Sequence, residues 1–303
     1  MTRLYTERNL LRSGVEKTWD INLMAYRAIF DCCEERLINL AERYPSMCQD
    51  GDVIAGVDRN RLFNVLKLRI PGLYRGRYSD SIVPSVPDSS NDDYDQFALF
   101  DYVEYIAQNM VTVLKGSWHG YWQHHHLSFR HDDVDRTRFQ NEINDVFQMS
   151  GLQYVLTTKG QIERITDADG FVQQVEDNAR TIPEKGLADL ITEAIALYHN
   201  ARPETHHLAT EKIWDAFERV KTIYSSNKKE SAERLTEVMA NGNGAVKKLF
   251  DAEFISLKNV GNDYRIRHHE IGKIELTDSL WCDYLFVRCL ALVDLAIRKA
   301  VNS

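Results

Sequence analysis

Apolar residues recur at helical spacing along most of this chain. In the N-terminal half, stripes with a period of three to four residues predict helices over residues 20–43, 59–69, 95–115 and 133–149. Pro45 closes the first of these helices, and Pro71 with Gly72 ends the second. The spacing therefore predicts a mainly α fold for this half.

Two stretches interrupt the helical pattern. Residues 72–93 are polar and rich in Pro, Asp, Ser and Asn, which predicts a long loop. Residues 152–165 consist of two short apolar runs about a Thr-Lys-Gly turn, and glycine there supplies the positive φ that such a turn needs. We therefore expect one small β-hairpin, followed by a domain boundary near residues 166–186.

From residue 187 onward every strong signal is helical. Five helices are predicted, over residues 187–200, 208–225, 231–240, 245–259 and 278–301. Gly261 fits a C-terminal cap of the fourth helix. The last helix is apolar on nearly every face, which is typical of a helix central to a bundle or buried against a partner. The chain is thus predicted to be mainly α, with a helical N-terminal domain that contains a small β-hairpin (1–168) and a C-terminal bundle of four to five helices (187–303).

Composition narrows the class of protein. The chain has 303 residues, of which 44% are hydrophobic and 27% charged, as is ordinary for a globular protein with two cores. Its net charge of −8 argues against a protein that holds long nucleic acid along an extended basic surface. It does not argue against an enzyme that cuts RNA at a small local basic site.

The cysteines and the lack of targeting signals indicate the compartment. The five cysteines are odd in number and contain no CxxC pair, which predicts free thiols in a reducing environment. The sequence has neither an apolar run long enough for a membrane span nor the core of a signal peptide. We therefore expect a cytoplasmic protein without a membrane partner.

The densest candidate chemistry lies between the fourth and last C-terminal helices, in Gly261-Asn-Asp-Tyr-Arg-Ile-Arg-His-His-Glu270. Histidine titrates near neutrality, so it can take a proton from a 2′-hydroxyl or give one to a leaving oxygen. Arginine offers a permanent, forked cation for the phosphate. The segment predicts RNA cleavage without a cofactor. Alternatively, it is a solvated charged loop whose Arg–Glu pairs contribute little.

The Arg/His motif and the helices around it resemble those of a known family. Residues 187–301 resemble HEPN domains, which are bundles of four or five helices with an Arg/His motif opening the final long helix. The N-terminal part is similar to the N-terminal module of AbiJ-like abortive-infection proteins, on Leu4–Arg8, Glu142–Asn144 and the hairpin segment Gly151–Arg164. The resemblance implies a metal-independent endoribonuclease of bacterial anti-phage defence or toxin type, with the N-terminal module in a sensor or regulatory role.

The resemblance also implies partners. HEPN ribonucleases pair two bundles, and the motifs of both protomers form one cleft. The partners implied are therefore an RNA substrate such as a tRNA loop, a second copy bound through the C-terminal bundle, and a phage-derived trigger or an antitoxin.

The resemblance assigns candidate site residues. The catalytic candidates are Arg265, Arg267, His268, His269 and, on an earlier helix, Glu218. The candidates for substrate binding are Asn262 and Glu270, and no residue is assigned to a metal. For Glu218, the alternative is a surface carboxylate paired with Lys221 or Thr222.

The motif departs from the family pattern. Arg267-His268 matches its opening, but no histidine follows at the expected distance, where Gly272, Lys273 and Ile274 stand. Either the motif is compressed, or this copy is a non-catalytic binding or regulatory protein with a degenerate bundle.

A rival site involves histidines. Five of the ten lie within residues 119–131, and imidazole binds zinc well, while Asp132 or Asp133 would add an oxygen ligand. We assign no metal there, because three consecutive histidines are expected to point in different directions and no second cluster with standard spacing accompanies them. The flanking aromatic residues are expected to anchor the core or an interface: Trp118, Tyr121 and Trp122.

Overall fold

The computed structural model describes residues 16–74, 81, 83, 84, 86, 94–166, 168–180, 182, 184–264, 266 and 273–301. The chain divides into two compact units, unit 1 (residues 1–164) and unit 2 (residues 165–303). Helices dominate the described residues, and the strands form small antiparallel pairs, so the expected mainly α class is confirmed. None of the described helices combines the length and the apolar character that a membrane-spanning segment requires.

The described part of unit 1 contains helices and three two-stranded antiparallel sheets. Its α-helices are α1 (Leu23–Glu35), α2 (Arg59–Arg69), α3 (Gln96–Asn109) and α4 (Val134–Ser150). Its strand pairs are β1 (Pro45–Met47) with β2 (Ile54–Val57), β3 (Thr112–His119) with β4 (His124–Arg130), and β5 (Tyr154–Leu156) with β6 (Ile162–Arg164). Short 3-10 helices lie at Leu37–Leu40 and Pro71–Tyr74.

Side-chain caps and aromatic packing hold unit 1 together. At the N-termini of α1, α2 and α3, side-chain oxygens of Asn22, Asp58 and Asp95 accept backbone N–H groups that have no partner within the helix. In the core, the ring centroid of Phe100 on α3 lies 4.8 Å from that of Tyr154 and 6.0 Å from that of Phe147. These edge-on contacts join α3, α4 and β5.

Two predicted elements of unit 1 differ from the structure. The helix expected over residues 95–115 ends at Asn109, and strand β3 begins at Thr112. The helix ends early because residues distant in the chain bind the backbone that follows it. The Asn39 side chain donates to the carbonyl of Val111, and the Asp135 carboxylate accepts the N–H of Val113. The helix expected over residues 20–43 is divided into α1 and the following 3-10 helix.

The small hairpin near residue 160 is confirmed. Strands β5 and β6 pair in antiparallel register, with Tyr154 opposite Arg164 and Leu156 opposite Ile162. Gly160 has a φ of 71°, the left-handed conformation that the turn requires. The predicted loop over residues 72–93 and the segment Leu4–Arg8 fall largely or wholly outside the described residues.

The described part of unit 2 is helical. Its helices are α5 (Asp169–Ala179), α6 (Lys185–Tyr198), α7 (Glu204–Val220), α8 (Lys228–Ala240), α9 (Gly244–Asp263) and α10 (Ser279–Val301). Helix α7 packs against both α6 and α10, while α9 packs on α8. The rings of Tyr198 and Phe286 stack with centroids 4.3 Å apart, which joins α6 to α10 inside the core.

Two features of unit 2 differ from the sequence-based expectation. Helix α5 lies where only a boundary was predicted, and its residues Val172 and Val175 belong to the core of the unit. Gly261 does not cap α9, because the helix continues to Asp263. A Cβ atom at Gly261 would lie 2.9 Å from Cδ1 of Trp214, so the glycine allows α7 and α9 to approach closely.

Candidate functional site

The Arg/His motif lies between α9 and α10 in the chain, and described residues on its two sides contact each other. Tyr264, which follows α9, forms an isolated parallel bridge with Ile274. The backbone N–H of Ile274 donates to the carbonyl of Asp263 over 3.1 Å. The two ends of the motif segment therefore lie side by side, at the C-terminal end of α9.

One residue within the motif is buried in the bundle core. Ile266 is 1% exposed, belongs to the core cluster of unit 2, and donates its N–H to the carbonyl of Tyr264 over 2.8 Å. The candidates on either side of it, Arg265, Arg267, His268, His269 and Glu270, lie outside the described residues. Ile266 thus fixes where the motif begins on the bundle, and the roles of its charged neighbours stay predictions.

Asn262 lies in the last turn of α9, directly before the motif. Its backbone carbonyl accepts a hydrogen bond from the ammonium group of Lys273, which stands on the other side of the motif segment. This contact adds a second link between the two ends of the segment. The proposed part of the Asn262 side chain in substrate binding stays a prediction.

Glu218 on α7 is held by two lysines. Its carboxylate forms an ion pair with Lys221 one turn later, and Lys228 Nζ lies 3.7 Å from its other oxygen. The Lys221 ammonium group also lies 4.5 Å from the ring centroid of Phe217, a cation–π arrangement. The structure thus contains the ion pair that the alternative for Glu218 anticipated, and it does not bear on the catalytic role.

The last helix buries one side and exposes the other at its N-terminal end. Leu280, Trp281 and Tyr284 are exposed on its first turns, at positions that share one side of a helix. Farther along, Phe286 and Cys289 are buried in the core, so the helix is not buried on every side. An exposed apolar surface therefore lies directly after the Arg/His motif in the chain.

A second group of chemically active side chains lies on the hairpin of β3 and β4 in unit 1. In a strand, successive side chains point to opposite faces, so His124 and His126 share one face and His125 takes the other. His119 is the cross-strand partner of His124, and its ring centroid lies 5.6 Å from the centroids of His124 and His126. Three imidazoles therefore gather on one face.

Cys48 completes this group from a distant part of the sequence. It follows β1 directly, it is buried, and its N–H donates to the carbonyl of Val53. One donor atom from each of Cys48, His124 and His126 lies within 4.8 Å of the others, a grouping that suits a metal ion. Among the described residues, neither His124 Nε2 nor His126 Nε2 has a hydrogen-bond partner, although both atoms are buried.

These histidines belong to the rival zinc site of the sequence, to which no metal was assigned. Consecutive histidines were expected to point in different directions, and the β conformation of His124–Arg130 does separate His125 from its neighbours, but it brings His124 and His126 to the same side. A strand prediction over this segment would have revealed the pairing of His124 with His126. Nothing in the sequence could have indicated Cys48, because only the tertiary structure brings β1 to this hairpin.

The aromatic residues of the same hairpin were expected to anchor the core or an interface. Trp118 and Tyr121 are exposed, so they lie outside the core. Trp122 is half-buried, and its indole N–H donates to the carboxylate of Asp50 over 2.8 Å. Whether the exposed pair contributes to an interface stays a prediction.

Comparison with known proteins gave no match: no family model, curated protein or solved structure matched this chain. The resemblance to HEPN and AbiJ-like proteins therefore rests on the motif residues and on the order of the helices.

Proposed function

We propose that unit 2 is a HEPN-type helical bundle that cleaves RNA without a metal ion, acting as a homodimer in bacterial anti-phage defence or as a toxin. The observation that carries the proposal is the burial of Ile266 in the bundle core, between Arg265 and Arg267 in the sequence. An anchor inside a charged segment is unusual for a solvated loop. It favours a segment that must keep a defined position against the bundle.

The proposed chemistry is a transesterification. One imidazole, from His268 or His269, takes the proton of the 2′-hydroxyl as its oxygen attacks the adjacent phosphorus. The bond to the 5′-oxygen breaks, and a second imidazole protonates that oxygen. Arg265 and Arg267 neutralise the charge that accumulates on the phosphoryl oxygens. The products are a 2′,3′-cyclic phosphate and a free 5′-hydroxyl.

Dimerisation would supply the second motif. The exposed side chains of Leu280, Trp281 and Tyr284 lie at the start of α10, next in the chain to the motif. If two copies pair along this surface, their motifs approach each other and form one cleft. Asn262 and Glu270 would then contact the RNA, whose single-stranded form, as in a tRNA loop, leaves the 2′-hydroxyl free to align with the phosphorus.

The test compares the intact chain with motif variants. Wild-type protein should cut a single-stranded RNA and leave a cyclic phosphate, and His268→Ala or His269→Ala should lower the rate by about 100-fold or more, as for the loss of a general acid or base. His131→Ala is the matched control, since this exposed histidine belongs to unit 1. An RNA with 2′-deoxyribose at the scissile position should resist cleavage.

Expression in a bacterial host adds an independent measurement. Wild type should slow growth, and each motif variant should relieve the effect.

In the cleavage assay, cutting of the 2′-deoxy RNA, or equal rates of RNA cleavage for wild type and both variants, would contradict the proposed chemistry.

A second candidate function is non-catalytic. The motif lacks the later histidine of the family pattern, since Gly272, Lys273 and Ile274 stand where it is expected. This departure favours a degenerate bundle that binds RNA or a protein through the same dimer. RNA binding by wild type that survives in His268→Ala and His269→Ala, together with intact substrate, would support this candidate over the nuclease.

A further inference from the structure

We propose that unit 1 binds a zinc ion through Cys48, His124 and His126. A tetrahedral zinc ion with bonds of roughly 2.0–2.3 Å holds its ligand atoms roughly 3.3–3.8 Å apart. The three donor atoms already lie within 4.8 Å of one another. Small side-chain rotations therefore suffice to close the site around an ion.

The hydrogen bonding of the two histidines indicates a ligand. The Nδ1 atom of His126 lies 3.3 Å from Oγ of Ser117. Because this contact engages Nδ1, Nε2 is the ring nitrogen that remains to bind a metal ion. That Nε2 and the Nε2 of His124 are buried without a partner among the described residues. A buried polar atom without a partner destabilises the fold, and a bound metal ion would remove that cost for both nitrogens. A hydrogen bond at the other ring nitrogen, such as the one between Ser117 and Nδ1 of His126, commonly orients a metal-binding imidazole.

A polar clamp holds the cysteine segment against the histidine hairpin. The Asp50 carboxylate accepts the indole N–H of Trp122 over 2.8 Å, and its Oδ2 lies 3.3 Å from Nε2 of His119. Strand β2, the partner of β1, packs against β4. The contacts of Asp50 with Trp122 and of β2 with β4 do not depend on the ion, and they set the position of Cys48 beside the histidines.

The set of donors selects the metal. A thiolate with two imidazoles suits zinc and disfavours magnesium and calcium, which prefer oxygen ligands. His119 lies on the same face and completes a four-ligand set if its side chain turns away from Asp50. The ion would join the β1–β2 pair to the β3–β4 hairpin, a structural role in which the free energy of metal binding adds to the stability of unit 1.

The experiment measures metal content and ligand type on the full chain. Wild-type protein purified without chelator should contain about one zinc ion per chain by elemental analysis, consistent with a single site. After zinc is removed, titration with Co²⁺ should give the visible d–d bands of tetrahedral coordination and the near-ultraviolet band of thiolate-to-cobalt charge transfer. Cys48→Ser should abolish the charge-transfer band, and His126→Ala should weaken zinc binding by more than about 10-fold, the lower end of the loss caused by removing only a hydrogen-bond partner of a ligand.

Matched controls separate the site from general effects. Cys32→Ser removes another thiol of unit 1, whose pKa burial raises to about 11, and it should retain the ion. His125→Ala removes the histidine on the opposite face, next to Trp118, and it should also retain the ion. Circular dichroism of each variant establishes that it is folded.

Three results would overturn the proposal. They are a wild-type Co²⁺ complex without a thiolate band, an equal loss of zinc in His125→Ala and His126→Ala, and purified protein that contains copper in place of zinc. The first result requires only the wild-type chain, so it decides the matter even if the variants fail to fold. Zinc added to the metal-free wild type should also raise its unfolding temperature, and this increase should be absent in folded Cys48→Ser.

Discussion

At the scale of single residues, two close contacts explain positions that look ordinary in the sequence. Gly261 lies in the last turn of α9 and has no positive φ, so backbone freedom does not explain it. Its Cα faces the ring of Trp214, which is buried in the core of unit 2. The glycine is required because a Cβ atom at this position would collide with the buried ring.

Gly261→Ala should therefore destabilise the protein by about 1–3 kcal/mol, as overpacking in a core does. Gly244→Ala is the matched control, since a Cβ atom at this first residue of the same helix meets no atom within 4 Å. Urea unfolding followed by circular dichroism measures both. Equal stability of the two variants would show that the Trp214 ring moves aside freely.

A buried amide is the second such position. Asn39 is buried, and its Nδ2 donates to the Asp135 carboxylate and to the carbonyl of Val111, each over 2.8 Å. Removal of the amide takes one donor from each of these acceptors at a buried position, although Val113 still donates its N–H to the Asp135 carboxylate. The position is therefore set by the partners it satisfies.

We expect Asn39→Ala to lower the free energy of unfolding by about 1–3 kcal/mol, the usual cost of unpaired buried polar groups. Asn141→Ala, at an exposed position of α4, should change it by less than about 0.5 kcal/mol. The denaturant midpoints of wild type and of the two variants measure these changes in the free energy of unfolding. A stability loss as small as that of the control would mean that the carboxylate finds other donors.

At the scale of elements, the start of α6 shows how a helix end is stabilised from a neighbouring helix. Glu184 accepts the N–H groups of Gly186 and Leu187, and its carboxylate pairs with the guanidinium group of Arg219 on α7 through bonds of 2.7 and 2.9 Å. The hydrogen bond from Arg219 is the main cause of the lowered pKa of Glu184, and the two backbone N–H groups add to it. One carboxylate therefore caps α6 and joins it to α7.

The lowered pKa of Glu184 sets the sign of a pH effect. Its stabilisation is fully present above the pKa of an unfolded-state glutamate, about 4.3, and is lost as the pH falls through the folded-state value. Because the group is exposed, Glu184→Gln should cost no more than about 1 kcal/mol at pH 7. The difference in the free energy of unfolding between Glu184→Gln and wild type should shrink in acid. Urea unfolding at pH 7 and at acid pH measures this difference. Glu237→Gln, at an exposed position of α8, is the control and should show no such trend.

At the scale of the whole molecule, the exposed apolar side chains of α10 stand out. A soluble monomer gains nothing from an exposed Leu, Trp and Tyr on one side of its last helix, and such patches commonly mark interfaces. The proposed composite cleft requires a second copy of the chain, and we expect that copy to cover this apolar surface. The net charge of −8 works against self-association, so the apolar contact must supply the affinity.

Trp281→Glu should weaken dimerisation by 10-fold or more, as expected when a charge replaces an aromatic anchor. Leu68→Glu is the control, because this apolar side chain of α2 is 85% exposed and lies in unit 1. Sedimentation velocity over a concentration series gives the dissociation constants. If the two variants dimerise equally well, α10 does not form the interface.

The local pattern of the sequence determined the mainly α class, the position of α2 and the β5–β6 hairpin. These elements follow from helical spacing, from Pro and Gly at their ends, and from the turn at Gly160, all of which act over a few residues. The same pattern also led to the Arg/His segment as the place to search for chemistry. Its geometry stays a prediction, since its charged residues lie outside the described part of the chain.

Only the tertiary structure decided where the helix over residues 96–109 ends, why Gly261 is a glycine, and which histidines act together. Each depends on partners far apart in the chain: Asn39 with Val111, Trp214 with Gly261, and Cys48 with His124 and His126. Spacing along a sequence records neighbours within one element. A metal-binding group assembled from two separate strand pairs has no such spacing, because packing between the pairs creates it.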